Sequence, residues 1–498
     1  MVTMEQVNEY LSKARERKAN IGVFGIGHKV YWPQFPGLEE ALYKHLNNFT
    51  RMIGEQTGAT IVTYEKMSEC WESAYHAGVY FSDKKLDLII CCVMTYAPSA
   101  HAVTTIQQCP GVPVVLSCLQ PSMGLEYVEA TMYGQLENDN VTCLPEINNG
   151  LIRSNRKPID CIVGLLYDDE RAWQRLRDWC EVAMVAHRLK HDHLGYMGHG
   201  YEGMLDMNSD PTMFDGHFGM HVEHVSIEDL ETFVDTATDA EVKEKFDLIN
   251  ETFDMPEPGA DSIAEKVEPE DLRWPARVAV GMEKLVTDKK LTGLAYYYRG
   301  LNANKFERLH SGMIIGNSFL TSKGIAIAGE LDIKNCVAML IMDRFGAGGS
   351  FAEYHPIDFR EDFVLVGHDG PHHLGVAHGK PVLRRLKLLH GKRGKGPSVE
   401  YHLKEGPITQ FGLTQDFEGK FKFVLSEGRS LAGPIPATGN TNTRGKFKPD
   451  VRTYLERWSV EGATHHFALG VGHIAYKIEM LAKFLGIQSV RVTPVEDA

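Results

Sequence analysis

The chain lacks any apolar run of the roughly 18 residues that a membrane-spanning helix needs. No membrane span is therefore expected. It also lacks an excess of positive charge. Its 66 acidic and 52 basic residues leave a formal net charge of −14, which argues against nucleic acid or an anionic membrane surface as the main partner. Paired cysteines are missing as well. Nine are scattered along the chain, at Cys70, Cys91, Cys92, Cys109, Cys118, Cys143, Cys161, Cys180 and Cys336, with no C-x-x-C spacing and an odd total. Several sit inside apolar runs, so they read as buried thiols in a reducing compartment, and neither a disulfide framework nor a zinc site is expected. The opening stretch, MVTMEQVNEYLSKARERKAN, is too polar for the apolar core of a secretory signal. A cytoplasmic protein is the expectation. Gly25-x-Gly27 lacks the third glycine of a dinucleotide fingerprint, which counts against NAD. No internal repeat or low-complexity segment is evident.

What is present belongs to an ordinary globular protein, with 43% hydrophobic and 24% charged residues over 498 positions. That length suggests two to four domains with apolar residues enough for several cores. Between residue 20 and about 190, strand-like and helix-like patterns alternate. Strand candidates are Ile21–Phe24, Ile61-Val62, Leu86–Val93, Val112–Leu119 and Cys161–Leu166. Leu38, Leu42, Leu46, Phe49 and Ile53 recur at helical spacing, and a second helix is expected over Glu170–Arg188. Such alternation predicts βαβ units around a flavodoxin- or Rossmann-like parallel sheet. Ligands of such sheets lie beyond the carboxyl ends of the strands. Gly25–His28, Met94–Tyr96 and Gln120–Ser122 would then share one rim.

A second α/β region follows, with strands at Leu194–Met197, Gly219–Val225 and Leu294–Tyr298, and a helix cap at Ser226. Residues 235–270 are acidic and read as a solvated helix, a loop and a further helix. The tyrosine run reads mainly as packing, although Tyr298 could face a sugar. Beyond Phe363 the pattern changes to short strands separated by glycine turns: Leu374–Val376, Ser398–His402, Ile408–Leu413 and Phe421–Leu425. These predict a small antiparallel barrel or sandwich. Helices return over Val451–Trp458 and Val471–Leu485, before a last strand at Ser489–Val492. The fold expected is thus α/β, with an N-terminal domain over 1–191, a central α/β domain over 192–347 and a β-rich, barrel-like domain over 348–498. The basic stretch around Lys392, Arg393 and Lys395 is read as a solvated loop over a phosphate site, because no strand–loop–helix context surrounds it.

The stretch from Ile327 to Gly370 holds the chemistry. Glu330 stands between an apolar run and a helix-like pattern over Leu331–Phe345. Glu353 follows the glycine-rich Gly346–Ser350, read as a loop, and His368 closes the run Phe363–Gly367. Oxygen and nitrogen donors at element ends beside glycines suit a hard or borderline divalent cation such as Mn²⁺ or Mg²⁺. On spacing alone the plainer reading has the better claim: Glu330 as an acid at a helix N-terminus and His368 as a satisfied strand-end histidine. A fourth group, Ala463-Thr464-His465-His466, changes the balance.

With those residues the sequence resembles the L-arabinose isomerases, relatives of the L-fucose isomerases. The resemblance rests on Gly329-Glu330-x-Asp332-x-Lys334, Gly348-Gly349-Ser350-Phe351-x-Glu353, Val366-Gly367-His368, Lys380-Pro381-Val382-Leu383, Glu405-Gly406-Pro407 and Ala463–His466, in that order. It implies an aldose–ketose isomerase that moves a proton between C1 and C2 of an open-chain sugar through an enediol-type intermediate. The implied metal ligands are Glu330, Glu353, His368 and His466, and the ion is Mn²⁺, with Mg²⁺ or Co²⁺ as alternatives. Glu330 and Glu353 take the acid/base roles, and one of them should be only loosely held by the metal. Lys334 could orient Glu330, though a helix-surface lysine is the plainer reading. The family forms trimers or hexamers with sites completed across subunits. Where it carries a glutamine on the first rim, this chain has Gly27 beside His28. Tyr96 and Tyr298 replace phenylalanines, and Tyr133 falls where a histidine is usual. With His465, these five residues (His28, Tyr96, Tyr133, Tyr298 and His465) form the expected substrate-binding set, and the altered wall means that the aldose need not be L-arabinose. A non-catalytic two-lobed sugar-binding protein is the alternative, and a metal-dependent hydrolase a weaker one for want of a clustered His-x-His motif.

Overall fold

A computed structural model describes residues 2–298, 305–387, 396–439 and 441–494. The chain divides into two compact units, Arg17–Arg188 and a larger one built from Met1–Glu16 with Leu189–Ala498. The basic stretch at Lys392, Arg393 and Lys395 lies outside the described residues.

In the Arg17–Arg188 unit, five parallel strands form one sheet: β1 (Asn20–Ile26), β2 (Thr60–Thr63), β3 (Leu88–Val93), β4 (Val114–Gln120) and β5 (Asp160–Leu165), in the order β2-β1-β3-β4-β5. β3 is buried along its whole length, as expected of a central parallel strand covered on both faces. The Leu38–Thr57 helix buries Leu38, Leu42, Leu46, Phe49 and Ile53, the residues at helical spacing in the sequence. His28 and Tyr96 follow the carboxyl ends of the paired strands β1 and β3, so these two share one rim of the sheet.

The larger unit contains a four-stranded parallel sheet and a closed barrel. The parallel sheet runs β10-β9-β6-β7, from β6 (His193–Gly198), β7 (His221–Val225), β9 (Gly293–Tyr297) and β10 (Ala326–Ala328). A short β8 (Ala264–Glu265) joins β13 (Ala377–Leu386) and β14 (Gly396–Leu403) in a small antiparallel sheet. The barrel is made of β11 (Gly348–Asp358), β12 (Phe363–Gly367), β17 (Thr441–Phe447), β16 (Phe421–Leu431), β15 (Gly406–Gln415) and β18 (Phe467–Val471). Pairing of β15 with β16 closes it, and β19 (Gln488–Arg491) adds to β16 from outside. Closure removes the unpaired edges that six exposed strands would leave. Among the described residues no helix is long and apolar enough to cross a membrane.

Three local expectations are corrected. Gly348-Gly349-Ser350 opens strand β11 and is not a loop; Gly349 has φ +127, and a Cβ there would sit 2.7 Å from the Met339 carbonyl oxygen. Glycine is needed because the Ile333–Arg344 helix packs directly on this strand. Leu374–Val376 is a 3-10 turn capped by His373, not a strand. The helix expected from Val471 starts only at Ala475, and Val471 instead ends strand β18, Phe467–Val471. An apolar five-residue run carries no period that tells strand from helix; the open edges of β11 and β15 claimed it.

Candidate functional site

Three neighbouring barrel strands bring Glu353, His368 and His466 to one end. Glu353 lies on β11 opposite Gly367 of β12, so His368, one residue on, stands beside it. On the other side of β11, Ala352 pairs with Phe467 of β18, which puts His466 at the same level. Glu330 arrives separately, from the loop after β10 at the carboxyl end of the parallel sheet. That loop is strained: Glu330 and Leu331 have φ of +56 and +66. Two consecutive non-glycine residues in the left-handed region cost on the order of 1–3 kcal/mol each and persist where surrounding structure holds them. Here the Leu331 amide donates to the Tyr296 carbonyl at 3.1 Å, and Asp332 caps the next helix by accepting from the Asn335 amide at 3.0 Å.

Each histidine is fixed through one ring nitrogen. His466 Nδ1 meets the fully buried Asp332 carboxylate at 3.1 Å. His368 Nδ1 meets the Asp369 carbonyl at 2.9 Å, which makes it a donor. His465 Nδ1 meets Asp206 Oδ2 at 2.7 Å. These bonds leave the three Nε2 atoms as lone-pair acceptors. His466 Nε2 lies 3.4 Å from Glu330 Oε2, His465 Nε2 3.9 Å from that same oxygen, and His368 Nε2 4.0 Å from Glu353 Oε1. Glu330 Oε2 and His466 Nε2 are buried with no hydrogen-bond partner. Donor atoms of Glu330, His368 and His466 come within 4.8 Å of one another, and so do those of Glu353, His465 and His466. The Phe351 ring packs on both His368 and His466, with centroids 4.7 and 4.3 Å away.

A buried lone pair facing a buried carboxylate oxygen, with no proton donor between them, is unfavourable unless a cation joins them. The donor set therefore fits a divalent ion. Burial pushes the His466 imidazole below its usual range, against the pull of Asp332, which keeps the ring neutral and able to donate its lone pair. Partial burial pushes the Asp206 carboxyl up, but hydrogen bonds from the His465 amide and ring outweigh it and hold it below the usual range.

A cavity of about 210 Å³ opens over Glu330, Glu353 and His368. Its wall includes Tyr201, Met204, Tyr296, His310, Ile314 and Phe351. Burial pushes the Tyr296 phenol up to about 12, so it remains a protonated hydroxyl. The sequence singled out Tyr298 from this run. Tyr298 is not among the residues lining the cavity and packs against Phe306 and His199, at centroid distances of 5.2 and 5.7 Å. Tyr298 lies one residue beyond β9, which ends at Tyr297, so the strand alternation that aims Tyr296 does not set its direction, and nothing in the run of three tyrosines marks where the strand ends. Asp206, too, escaped the sequence reading; it sits in a polar 3-10 turn with no signal of its own. Lys334 neither orients Glu330 nor faces solvent. It is buried and donates to the Asp206 and Asn208 carbonyls and the Ser209 hydroxyl at 2.7, 3.0 and 3.0 Å.

His28, Tyr96 and Tyr133 lie in the Arg17–Arg188 unit. His28 packs edge-on to Tyr31 at 5.1 Å and near His101 at 5.6 Å, and its Nδ1 has no partner. Tyr96 is half-buried after β3, and Tyr133 is half-buried in the Met132–Asn138 helix.

Comparison with known proteins points to one family. Residues 208–348 match the L-arabinose isomerase central domain, and 348–488 the L-arabinose isomerase C-terminal domain. An L-arabinose isomerase of a Nocardioides species is 26% identical over 66% of this chain and 66% of its own length. Those of Bacillus subtilis and Aeromonas hydrophila are 22% and 24% identical, over 72% and 67% of this chain and 71% and 67% of theirs.

Proposed function

The chain belongs to the L-arabinose isomerase family, and from that premise we propose that it is a metal-dependent aldose–ketose isomerase acting on an open-chain sugar. The observation that carries this reading is the pair of orphaned, buried atoms, Glu330 Oε2 and His466 Nε2, 3.4 Å apart, beside a cavity that Glu330 lines. Glu330, Glu353, His368 and His466 would hold the ion. When bound, a divalent ion such as Mn²⁺ supplies Lewis-acid stabilisation of the charge that develops on the two oxygens at C1 and C2.

The rest falls to the protein. Glu330, with its side chain 13% exposed, is held by a strained loop against His466 and serves chiefly to fix negative charge. Glu353, 29% exposed, faces the cavity more openly and is the proton carrier between C2 and C1. Such a positioned base contributes about 10²–10⁴-fold to the rate. The Tyr296 hydroxyl and the His310 ring are placed to meet sugar hydroxyls, while Phe351, Ile314 and Met204 make a wall that keeps water from the exchanging proton. On the family footing the protein assembles as a trimer or hexamer, and the rim carrying His28 and Tyr96 contributes to sugar binding.

The test is a panel of aldoses assayed for ketose formation with metal-stripped protein, before and after addition of Mn²⁺. Turnover of at least one aldose, lost on stripping and restored by Mn²⁺, is expected. No turnover of any aldose with Mn²⁺, Mg²⁺ or Co²⁺ would overturn the reading.

A further inference from the structure

His465 sits outside the four-residue ligand set, yet its geometry copies that of His466. Both rings have Nδ1 on an aspartate, at 2.7 Å from Asp206 and 3.1 Å from Asp332. Both turn Nε2 toward Glu330 Oε2. The two rings pack with centroids 3.8 Å apart, so one cannot turn without disturbing the other. Asp206 grips His465 twice, because the same Oδ2 also accepts from the His465 backbone amide at 2.9 Å.

The gripping aspartate is itself tied down. Its 3-10 turn, Leu205–Met207, is anchored from below by the buried Lys334 ammonium, which bonds the carbonyls of Asp206 and Asn208 and the Ser209 hydroxyl. Lys334 sits on the helix that opens just after Glu330 and Asp332. One rigid element therefore sets both the loop that offers Glu330 and the turn that aims His465. An aspartate in an exposed turn that served only to cap or solvate would not need a buried lysine under its carbonyl.

We propose that Asp206 is a positioning residue that locks His465 with Nε2 as a lone-pair donor, so that His465 joins Glu353 and His466 as an additional ligand of the divalent ion. With Nδ1–H donated to Asp206, the only free function at Nε2 is acceptance, and that atom shares a 4.8 Å neighbourhood with donor atoms of Glu353 and His466. Loss of the aspartate frees the ring to take the other tautomer and to rotate. Partners of this kind change metal affinity by roughly 10–100-fold.

The inference rests on the proposed metal site, and equilibrium Mn²⁺ titration of the stripped full-length protein separates the two. His466→Ala reports on the metal site itself and should bind Mn²⁺ far more weakly than wild type. Asp206→Ala should raise the Mn²⁺ Kd about 10-fold or more, and His465→Ala by a similar factor. The double variant should be no worse than His465→Ala alone, since Asp206 acts only through that ring. Asp206→Asn, which keeps the shape and one acceptor oxygen, should fall between wild type and Asp206→Ala and provides the reading if the alanine variant fails to fold. A wild-type Kd in both Asp206 variants, or effects of Asp206→Ala and His465→Ala that simply add, overturns the inference while the metal site stands. Unchanged binding in His466→Ala overturns both.

Discussion

The rim of the five-stranded parallel sheet and the end of the barrel beside the four-stranded sheet both carry residues singled out from the sequence, and they are built differently. At the rim of the five-stranded sheet, His28 has one orphaned ring nitrogen and aromatic neighbours, Tyr31 and His101. Burial alone pushes its imidazole below the usual range. At the barrel end, the orphaned nitrogen of His466 faces an orphaned carboxylate oxygen of Glu330 from the loop after β10, the backbone is strained at Glu330 and Leu331, and an aspartate backs the ring. The first arrangement can receive a neutral hydroxyl. The second concentrates negative charge and lone pairs in a set that suits a divalent cation. Ends and edges of strands gather the donors in both places, and the supporting groups set their chemistry.

The comparison is most exposed to Glu353→Gln. Removing the proposed proton carrier while preserving its shape should lower kcat by about 10²–10⁴-fold with an unchanged melting temperature. A kcat near wild type would take Glu353 out of the chemistry and leave the barrel end a structural feature.

A smaller effect concerns stability. His372 is fully buried near the site; its amide donates to Ser318 Oγ at 3.0 Å, and burial pushes its imidazole down to about 3. In the unfolded chain the same ring takes up its proton near pH 6.5. Between those values the unfolded state binds more protons, so the folded state keeps its full margin above pH 6.5 and loses it as the pH falls. His372→Phe should flatten the decline in melting temperature between pH 7 and pH 5. An equally steep decline in the variant would mean that other groups, His466 and His101 among them, carry the whole dependence.

The smallest expected change is at the rim of the five-stranded sheet. His28→Ala should leave the Mn²⁺ Kd of the stripped protein unaltered while raising KM for the aldose. A weakened Mn²⁺ affinity would erase the distinction between that rim and the barrel end.

Much of the architecture could be read without coordinates, and the reason is local. Leu38, Leu42, Leu46, Phe49 and Ile53 repeat at 3.6 residues and bury one helix face; within LDLIICCV, Leu88–Val93 forms a strand buried along its length. Glycines beside Glu330 and His368 marked element ends, whereas those before Glu353 open the strand that contains it, and order along the chain marked the family. Tertiary structure decided what periodicity does not encode. Phe467–Val471 became a strand because the barrel offered two open edges. Tyr296 and not Tyr298 lines the cavity because β9 and its pairing end at Tyr297, which releases Tyr298 from the strand's alternation. Lys334, whose charge suggested solvent, was buried because three oxygen acceptors converge on its ammonium. Asp206 and His465, separated by 259 positions, met because barrel closure and the anchored 3-10 turn brought them together. Sequence fixes which side chains are available and which faces are apolar; only packing brings distant donors within reach of one point, because that depends on contacts between segments with no local signature of each other.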